Sequence, residues 1–164
     1  MTRESLAMEL RPLAPDDVPE LRRIHATPEV ARWWGEPHPE FPSDELDVGR
    51  LVIEVDRAVA GLIQYEEEIY PRFRWAAIDL FVDPALHGRG IGTEAVRRVV
   101  RHLIDERGHH RITIDPAVAN ERAIGIYERI GFRPVGVMRA YELVPGGGGW
   151  RDALLMDLLA GEER

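Results

Sequence analysis

The chain has 164 residues, of which 45% are hydrophobic and 30% charged, so its composition indicates a single globular domain and excludes a disordered or collagen-like chain. The absence of cysteine excludes disulfides, thiolate metal sites and a cysteine nucleophile, and we expect a reducing, cytoplasmic compartment. The net charge of −8 disfavours nucleic acid as a partner, and no stretch is long and apolar enough to span a membrane.

The first half of the chain is predicted to form one strand, two short helices, a hairpin and a central strand. Alternating apolar residues predict the strands, and apolar residues three or four positions apart predict the helices. Asp16 or Asp17 is expected to cap the first helix, Thr27 and Pro28 to begin the second, and Ser43 to begin another helical turn. The predicted ranges are strand 8–13, helices ending near His25 and Trp34, hairpin strands 51–55 and 59–69, and strand 75–82.

The second half alternates helices and strands and ends in a hairpin. Gly108 and Gly131 are expected to end its two helices, and Gly146–Gly149 to form a flexible hairpin tip. The predicted ranges are helix 90–107, strand 111–115, helix 120–129 and strands 133–144 and 150–158. The whole succession, β-α-α-β-β-β-α-β-α-β-β, predicts one α/β domain over residues 1–164 with a mixed sheet.

The most specific local motif runs from Asp83 to Thr93 (DPALHGRGIGT), between a predicted strand and an amphipathic helix. Glycines here let the backbone turn tightly, so several N–H groups can point at one anion at the helix N-terminus, with the charge of Arg89 nearby. The run is neither a P-loop nor the dinucleotide-binding motif G-x-G-x-x-G. It predicts a pyrophosphate site, with a purely structural turn as the alternative.

Two other classes of active site are disfavoured by spacing. No two of the six histidines are four residues apart, so we expect no metal. The only serines are Ser5 and Ser43, and neither lies in the strand–turn–helix setting of a serine hydrolase.

The glycine motif and the elements after it resemble the GNAT superfamily of N-acetyltransferases over roughly residues 50 to 160. The shared order is a strand, the glycine turn, a helix, a strand, a second helix and then Gly131-Phe132-Arg133. The resemblance implies a mixed, strongly twisted sheet that is splayed in the middle and carries helices on both faces. It also implies acetyl-CoA (coenzyme A) as the cofactor, with its pyrophosphate at the glycine turn.

Shorter stretches are similar to aminoglycoside 6'-N-acetyltransferases within that superfamily. They are Arg32–Gly35, Ile78-Asp79, and the segments 113–116, 120–124 and 127–132. This resemblance implies direct transfer of acetyl from acetyl-CoA to the 6'-amine of an aminoglycoside in a ternary complex. The expected partner is therefore a small cationic amine.

Two residues are expected to carry the chemistry. Asp79 lies in a predicted apolar strand, where a carboxylate is costly unless it is paired or faces a cleft, so it would hold the substrate ammonium or take its proton. A charge at a sheet bulge, or one that faces a nearby arginine, is the structural alternative. By resemblance, Tyr127 protonates the departing thiolate and the N–H of Val82 stabilises the developing oxyanion.

The remaining candidates bind one of the two reactants. The resemblance assigns to acetyl-CoA the residues Phe81, Val82, His87, Gly88, Arg89, Gly90, Ile91, Gly92, Thr93, Asn120, Ala123 and Tyr127. His87 departs from the superfamily, which usually has arginine or glutamine there. The residues expected to bind the amine are Trp33, Trp34, Tyr65, Glu68, Asp79 and Asp115. The alternatives are a strand-end turn for Asp115 and solvated edge charge for the run Glu66–Glu68.

Three questions stay open at the level of sequence. The acetylated amine could instead belong to a protein N-terminus, a polyamine or a siderophore precursor. The chain could also be a module that binds coenzyme A or a drug without catalysis. A monomer and a homodimer are both compatible with the sequence.

Overall fold

The computed structural model describes residues 7–42 and 49–164, where seven strands and four helices follow one another in the predicted order. The strands are β1 (Met8–Pro12), β2 (Gly49–Val55), β3 (Ala58–Glu68), β4 (Trp75–Val82), β5 (Arg111–Ile114), β6 (Arg133–Leu143) and β7 (Trp150–Leu159). The helices are α1 (Val18–His25), α2 (Pro28–Trp34), α3 (Ile91–Arg101) and α4 (Glu121–Ile130). The helical turn expected at Ser43 lies outside the described residues.

The strands form one sheet in the order β1-β2-β3-β4-β5-β7-β6. All neighbouring pairs are antiparallel except β4 and β5, which are parallel. This mixed sheet confirms the predicted α/β class.

Helices cover both faces of the sheet, as predicted. Apolar side chains of α3, among them Ile91, Val96 and Val99, pack with Ile78 of β4 in the larger core cluster. On the other face, α1 and α2 pack with residues of β2, β3 and β4, including Phe81. Successive side chains of a strand point to opposite faces, so β4 contributes alternate residues to the two cores.

The helix predicted to run to Arg107 is regular only as far as Arg101. A single wider π-helical turn follows, from His102 to Glu106, and Gly108 ends it with a φ of 71°. No helix in the described ranges is both long and apolar enough to cross a membrane.

The parallel strands β4 and β5 separate soon after they meet. Ala76 pairs with Ile112 and Ala77 with Thr113, and no later residue of either strand pairs with the other. The splay expected in the middle of the sheet is therefore confirmed, and it exposes the second half of β4 along one edge.

Candidate active site

A cleft of about 1210 Å³ opens where β4 and β5 separate, and we call it the central cleft. One end, the α3 side, is formed by the glycine turn and the first turns of α3 and α4. The other end, the α2 side, is lined by Trp33, Trp34, Asp79, Asp115, Glu142 and Arg151. The residues predicted to bind the two reactants thus meet mostly in one place.

The glycine turn presents a row of backbone donors to the α3 side. Gly88 and Gly90 both have a φ of 78°, in the left-handed region, and Gly90 is the N-cap of α3. None of the N–H groups from 88 to 93 donates to an acceptor within the described residues, and Glu94 is the first whose N–H does so, to the carbonyl of Gly90 at 3.0 Å. These donors, at the positive end of the helix dipole, suit an anion.

His87 joins the turn to α4. Its Nε2 lies 3.0 Å from the carbonyl of Val82, and its Nδ1 lies 3.0 Å from Nη1 of Arg122. Because arginine can only donate, Nδ1 accepts this bond, and Nε2 carries the proton and donates to Val82. His87 therefore holds Arg122 at the cleft beside the glycine turn.

The backbone of Val82 is suited to the role predicted for it. The next N–H along the strand, of Asp83, bonds to Ala60 of β3 at 2.7 Å. Since successive N–H groups of a strand point in opposite directions, the N–H of Val82 points toward the gap between β4 and β5.

Asp79 faces the same gap from the middle of β4. Its Oδ1 accepts the N–H of Leu80 at 3.0 Å, and Asp79 is an exposed residue that lines the cleft. Desolvation by the surrounding walls is the largest cause that raises the pKa of Asp79, to about 8, and the charges of Asp115 and Glu142 raise it further.

Asp115 follows β5 and lines the cleft opposite Asp79. Its Oδ2 accepts the hydroxyl of Tyr141 at 2.8 Å. Burial raises the pKa of Asp115, and the Tyr141 hydrogen bond partly opposes this, while the same bond raises the pKa of Tyr141 to about 12. Neither Asp79 nor Asp115 forms an ion pair within the described part of the chain.

Tyr127 lies on the inner side of α4 and lines the cleft near both carboxylates. Burial raises its pKa well above the usual range, and the negative charges of Asp79 and Asp115 add to this effect. The phenol therefore stays protonated at any ordinary pH. Its helix is capped by Asn120, whose Oδ1 accepts the N–H of Ala123 at 3.3 Å, and the Tyr127 ring packs edge-on against Phe132.

The two tryptophans form a wall of the α2 side. Trp34 donates from Nε1 to the carbonyl of Leu80 at 3.2 Å and packs edge-on against Phe81, so it is anchored to β4. Trp33 lies between two guanidinium groups, those of Arg32 at 4.7 Å and Arg151 at 5.4 Å from its ring centre. Both are half-buried and line the cleft.

Sequence reasoning missed three residues here, Tyr141, Glu142 and Arg151. Glu142 lies opposite Arg151 in the β6–β7 pairing, and the Nε of Arg151 donates to its Oε1 at 2.7 Å. The other Arg151 nitrogens donate to the carbonyls of Arg32 at 3.0 Å and Trp33 at 2.7 Å. A glutamate and an arginine on the two strands that flank the predicted hairpin tip were the available signal.

Most of the predicted site residues line the cleft, and two do not. Those that do are Trp33, Trp34, Asp79, Phe81, Val82, His87, Gly88, Arg89, Gly90, Ile91, Gly92, Thr93, Asp115, Asn120, Ala123 and Tyr127. Phe81 does so through its backbone, because its side chain is buried in the core on the α1–α2 face.

Tyr65 and Glu68 were expected at the amine site and lie outside the cleft. Tyr65 pairs with Ile78, so alternation turns its ring onto the α3 face, 5.9 Å from His102. Glu68 lies at the far end of β3, where it accepts the N–H of Tyr70 at 2.7 Å. Strand alternation and distance along β3 thus remove both from the site.

Glu67, the middle residue of the acidic run, has a structural role instead. Its carboxylate bonds to the buried His109 at 2.6 Å and to Arg107 at 3.0 Å. No cluster of three metal-binding side chains occurs in the ranges 7–42 and 49–164.

Residues 8–133 match a family model described as an acetyltransferase (GNAT) domain. Among curated proteins, the spermidine N(1)-acetyltransferase of Escherichia coli K12 is 28% identical over 136 residues, which cover 77% of this chain and 73% of that protein. The N-alpha-acetyltransferase RimI of Mycobacterium tuberculosis is 36% identical over 76 residues, which span 46% of each chain.

Solved structures share the fold over nearly the whole chain. The spermidine N-acetyltransferase from Vibrio cholerae, in complex with CoA and spermine, superposes with a TM-score of 0.81 at 22% identity and covers 94% of this chain and 96% of that one. Mycobacterium smegmatis RimJ, in complex with CoA-disulfide, superposes with a TM-score of 0.78 at 23% identity. The match covers 93% of this chain and 82% of the RimJ chain.

Proposed function

Because the chain belongs to the GNAT family of acetyltransferases, we propose that it transfers acetyl from acetyl-CoA to a primary amine of a small polycation, with polyamines such as spermidine as the first candidates. Membership of the family covers the fold, the cofactor and the class of reaction. The acceptor and the roles of individual residues are our inference from the central cleft.

Acetyl-CoA is the cofactor, and it supplies the acetyl group as a thioester. The α3 side fits its anionic part, because the N–H groups from 88 to 93 are unpaired within the described residues and Arg89 and Arg122 line the same end. The splayed edge of β4 fits its extended arm, since the N–H of Val82 has no strand partner on that side.

Three groups of the chain would carry the proton and charge movements. Asp79 takes the proton of the bound ammonium, directly or through water, because the attacking amine must be neutral. The N–H of Val82 donates to the acetyl oxygen as negative charge develops there. The Tyr127 hydroxyl donates its proton to the leaving thiolate as the carbon–sulfur bond breaks, and it takes up the second proton that the nitrogen releases when the amide forms.

The acceptor is inferred from one observation: two carboxylates, Asp79 and Asp115, share the α2 side without an ion-pair partner in the described residues. Desolvation and then the charge of Asp115 raise the pKa of Asp79, so keeping both carboxylates ionised in the empty site costs free energy. An acceptor with several ammonium groups lowers that cost, and a neutral or anionic amine does not. The similarity to spermidine acetyltransferases supports the same class of acceptor.

The experiment must also distinguish two alternative acceptors, a protein N-terminus and an aminoglycoside. A protein N-terminus is supported by the 36% identity to RimI. An aminoglycoside, implied by the short motifs in the sequence, also carries several ammonium groups, but the relatives named above are spermidine and N-alpha-acetyltransferases and do not support it specifically.

The test is release of free thiol from acetyl-CoA against a matched panel of amines. The panel holds spermidine, spermine, butylamine as a monoamine of similar reach, a kanamycin-type aminoglycoside with and without its 6'-amine, and a peptide with a free N-terminus. Each amine is also tested with the Asp115→Asn variant, which removes one charge from the α2 side and keeps its shape.

We expect turnover of the polyamines, weak turnover of butylamine, and a larger loss with spermidine than with butylamine in Asp115→Asn. Turnover of only the peptide, or of only the aminoglycoside with its 6'-amine, would show that the proposed polyamine acceptor is wrong, while acetyl transfer to an amine would stand. If acetyl-CoA binds and no amine releases thiol, the chain is a binding module and the proposal fails.

A further inference from the structure

Strand β6 departs from regular pairing beside the central cleft. Met138 lies opposite Ala153 and Glu142 opposite Arg151, so residues 139–141 face the single residue Asp152. Ala140, within this bulge, has a φ of 50°, a left-handed conformation that is unfavourable for alanine. Bulges redirect side chains and are common beside active sites.

Asp152 connects the bulge to the segment that follows β5. Its Oδ1 accepts the N–H of Ala140 at 2.8 Å, and its backbone carbonyl accepts the N–H of Val118 at 3.0 Å. Nearby, the N–H of Leu154 bonds to the carbonyl of Pro116 at 2.8 Å. Strand β7 therefore holds together the bulge and the short segment that begins directly after Asp115.

The side chain directed by the bulge is that of Tyr141. Its hydroxyl donates to Oδ2 of Asp115 at 2.8 Å, while the residue as a whole is 48% exposed and does not line the cleft. Tyr141 therefore contacts the cleft through Asp115. We propose that Tyr141 is a positioning residue for the amine substrate, and that the β6 bulge brings its hydroxyl to Asp115; this rests on the proposed function, in which Asp115 binds the cationic amine.

The hydrogen bond has a definite electrostatic effect. Burial raises the pKa of Asp115 and the charge of Glu142 raises it further, whereas the Tyr141 hydroxyl lowers it. Asp79 and Tyr127 face the same region from β4 and α4. Tyr141 thus keeps Asp115 ionised at lower pH, and without the hydroxyl the carboxylate takes up a proton at a higher pH and loses its attraction for the amine.

The first experiment titrates Asp115 in the full chain by carboxyl ¹³C NMR, for the wild type, Tyr141→Phe and Tyr70→Phe. Tyr70 is an exposed tyrosine of the β3–β4 loop and serves as the matched control. We expect the pKa of Asp115 to rise in Tyr141→Phe and to stay unchanged in Tyr70→Phe. This measurement does not depend on turnover of any amine.

The second experiment compares kcat/KM for spermidine between wild type and Tyr141→Phe at several pH values. The ratio at each pH cancels the ionisation of the amine itself. We expect a ratio of about fivefold at the acidic end of the series that narrows to within about twofold at the alkaline end. The ratio stays below that expected for loss of a fully buried hydrogen bond to a charged group, because Tyr141 is partly exposed. In an Asp115→Asn background, Tyr141→Phe should change nothing further.

The bulge is tested through its anchor. Asp152→Ala removes the oxygen that holds Ala140 and should reproduce the pH-dependent loss of Tyr141→Phe, whereas Asp152→Asn keeps an accepting oxygen and should retain the wild-type profile. An unchanged Asp115 titration, or a ratio that does not vary with pH, overturns the proposal. If the wild type acetylates no amine, the proposed function fails, and the titration alone decides the role of Tyr141.

Discussion

Arg151 of β7 donates from Nη2 to the backbone carbonyl of Trp33 at 2.7 Å, and this contact joins two segments far apart in the sequence across the α2 side of the central cleft. Since Glu142 holds the same guanidinium at 2.7 Å, the β6–β7 hairpin and the end of α2 form one continuous wall. The wall includes Trp33, over which the guanidinium lies. The guanidinium of Arg151 thus donates to Glu142 and to the backbone carbonyls of Arg32 and Trp33, and it forms no ion pair with Asp79 or Asp115.

Replacing Arg151 by methionine should loosen this wall, because the carbonyl of Trp33 loses its donor. We expect the KM for the amine to rise about tenfold, in line with the loss of a hydrogen bond to a charged group, and the KM for acetyl-CoA to stay within about twofold. Steady-state kinetics with each substrate varied in turn measures both. Arg101→Met, at an exposed position on α3, is the control, and an equal effect of the two variants would contradict the role of Arg151.

The activity should depend on the ionisation of Asp79. Only its deprotonated form can take a proton from the amine, and its pKa is about 8, so kcat/KM should rise with pH through that value. Asp79→Asn should lower kcat/KM by about 10²-fold or more at pH 8. A pH series of thiol release tests both statements, and unchanged turnover in the variant would exclude Asp79 as the base.

Asp79 should also make stability depend on pH. Its pKa is higher in the folded chain than the ordinary 3.8, so the folded state binds the proton more tightly, and the stability of the wild type falls as pH rises from about 4 to about 8. Asp79→Asn does not titrate and escapes this loss. Thermal unfolding measures the Tm of the variant minus the Tm of the wild type at each pH. We expect this difference to be a few degrees more positive at pH 9 than at pH 5. An equal difference at both pH values would mean that Asp79 is not destabilised by burial and by its neighbours.

Tyr127→Phe should slow the chemical step and leave binding intact. In the proposed mechanism the hydroxyl protonates the leaving thiolate, while the ring packs against Phe132 and is kept by phenylalanine. We expect kcat to fall by about 10²-fold, with the KM for acetyl-CoA nearly unchanged. Because burial raises the pKa of Tyr127, the wild-type profile should show no loss of activity from this residue up to pH 10. A full rate in the variant would assign the thiolate proton to another donor.

Gly90→Ala and Gly146→Ala form a matched pair for the glycine turn. Both glycines have a left-handed φ, 78° and 85°, and an added Cβ at either meets open space, so each substitution should lower the free energy of unfolding by about 1 kcal/mol through backbone strain alone. Only Gly90 lies at the start of α3, where the unpaired N–H groups converge. We expect the KM for acetyl-CoA to rise about tenfold in Gly90→Ala and to stay unchanged in Gly146→Ala. Equal KM values would show that the turn does not bind the cofactor.

The sequence by itself determined the elements and the α3 side of the site. Both depend on local signals: apolar periods of two or about four residues, the caps at Asn120 and Gly131, and glycines where the backbone needs a positive φ. Asp79 was a candidate because a carboxylate in an apolar strand is unusual, and Tyr127 was a candidate by resemblance; both line the central cleft, and their catalytic roles stay predictions. The resemblance in the motif from Asp83 to Thr93 then pointed to the cofactor, which the family match supports.

The tertiary structure alone decided the α2 side. Tyr65 and Glu68 were misplaced because the sequence of β3 does not reveal which face of the strand, or which of its ends, lies next to the cleft. Tyr141 reaches Asp115 only through a bulge that shifts the register of β6 against β7. Contacts of this kind depend on how distant strands align, and the periodicity of each strand carries no information about that alignment.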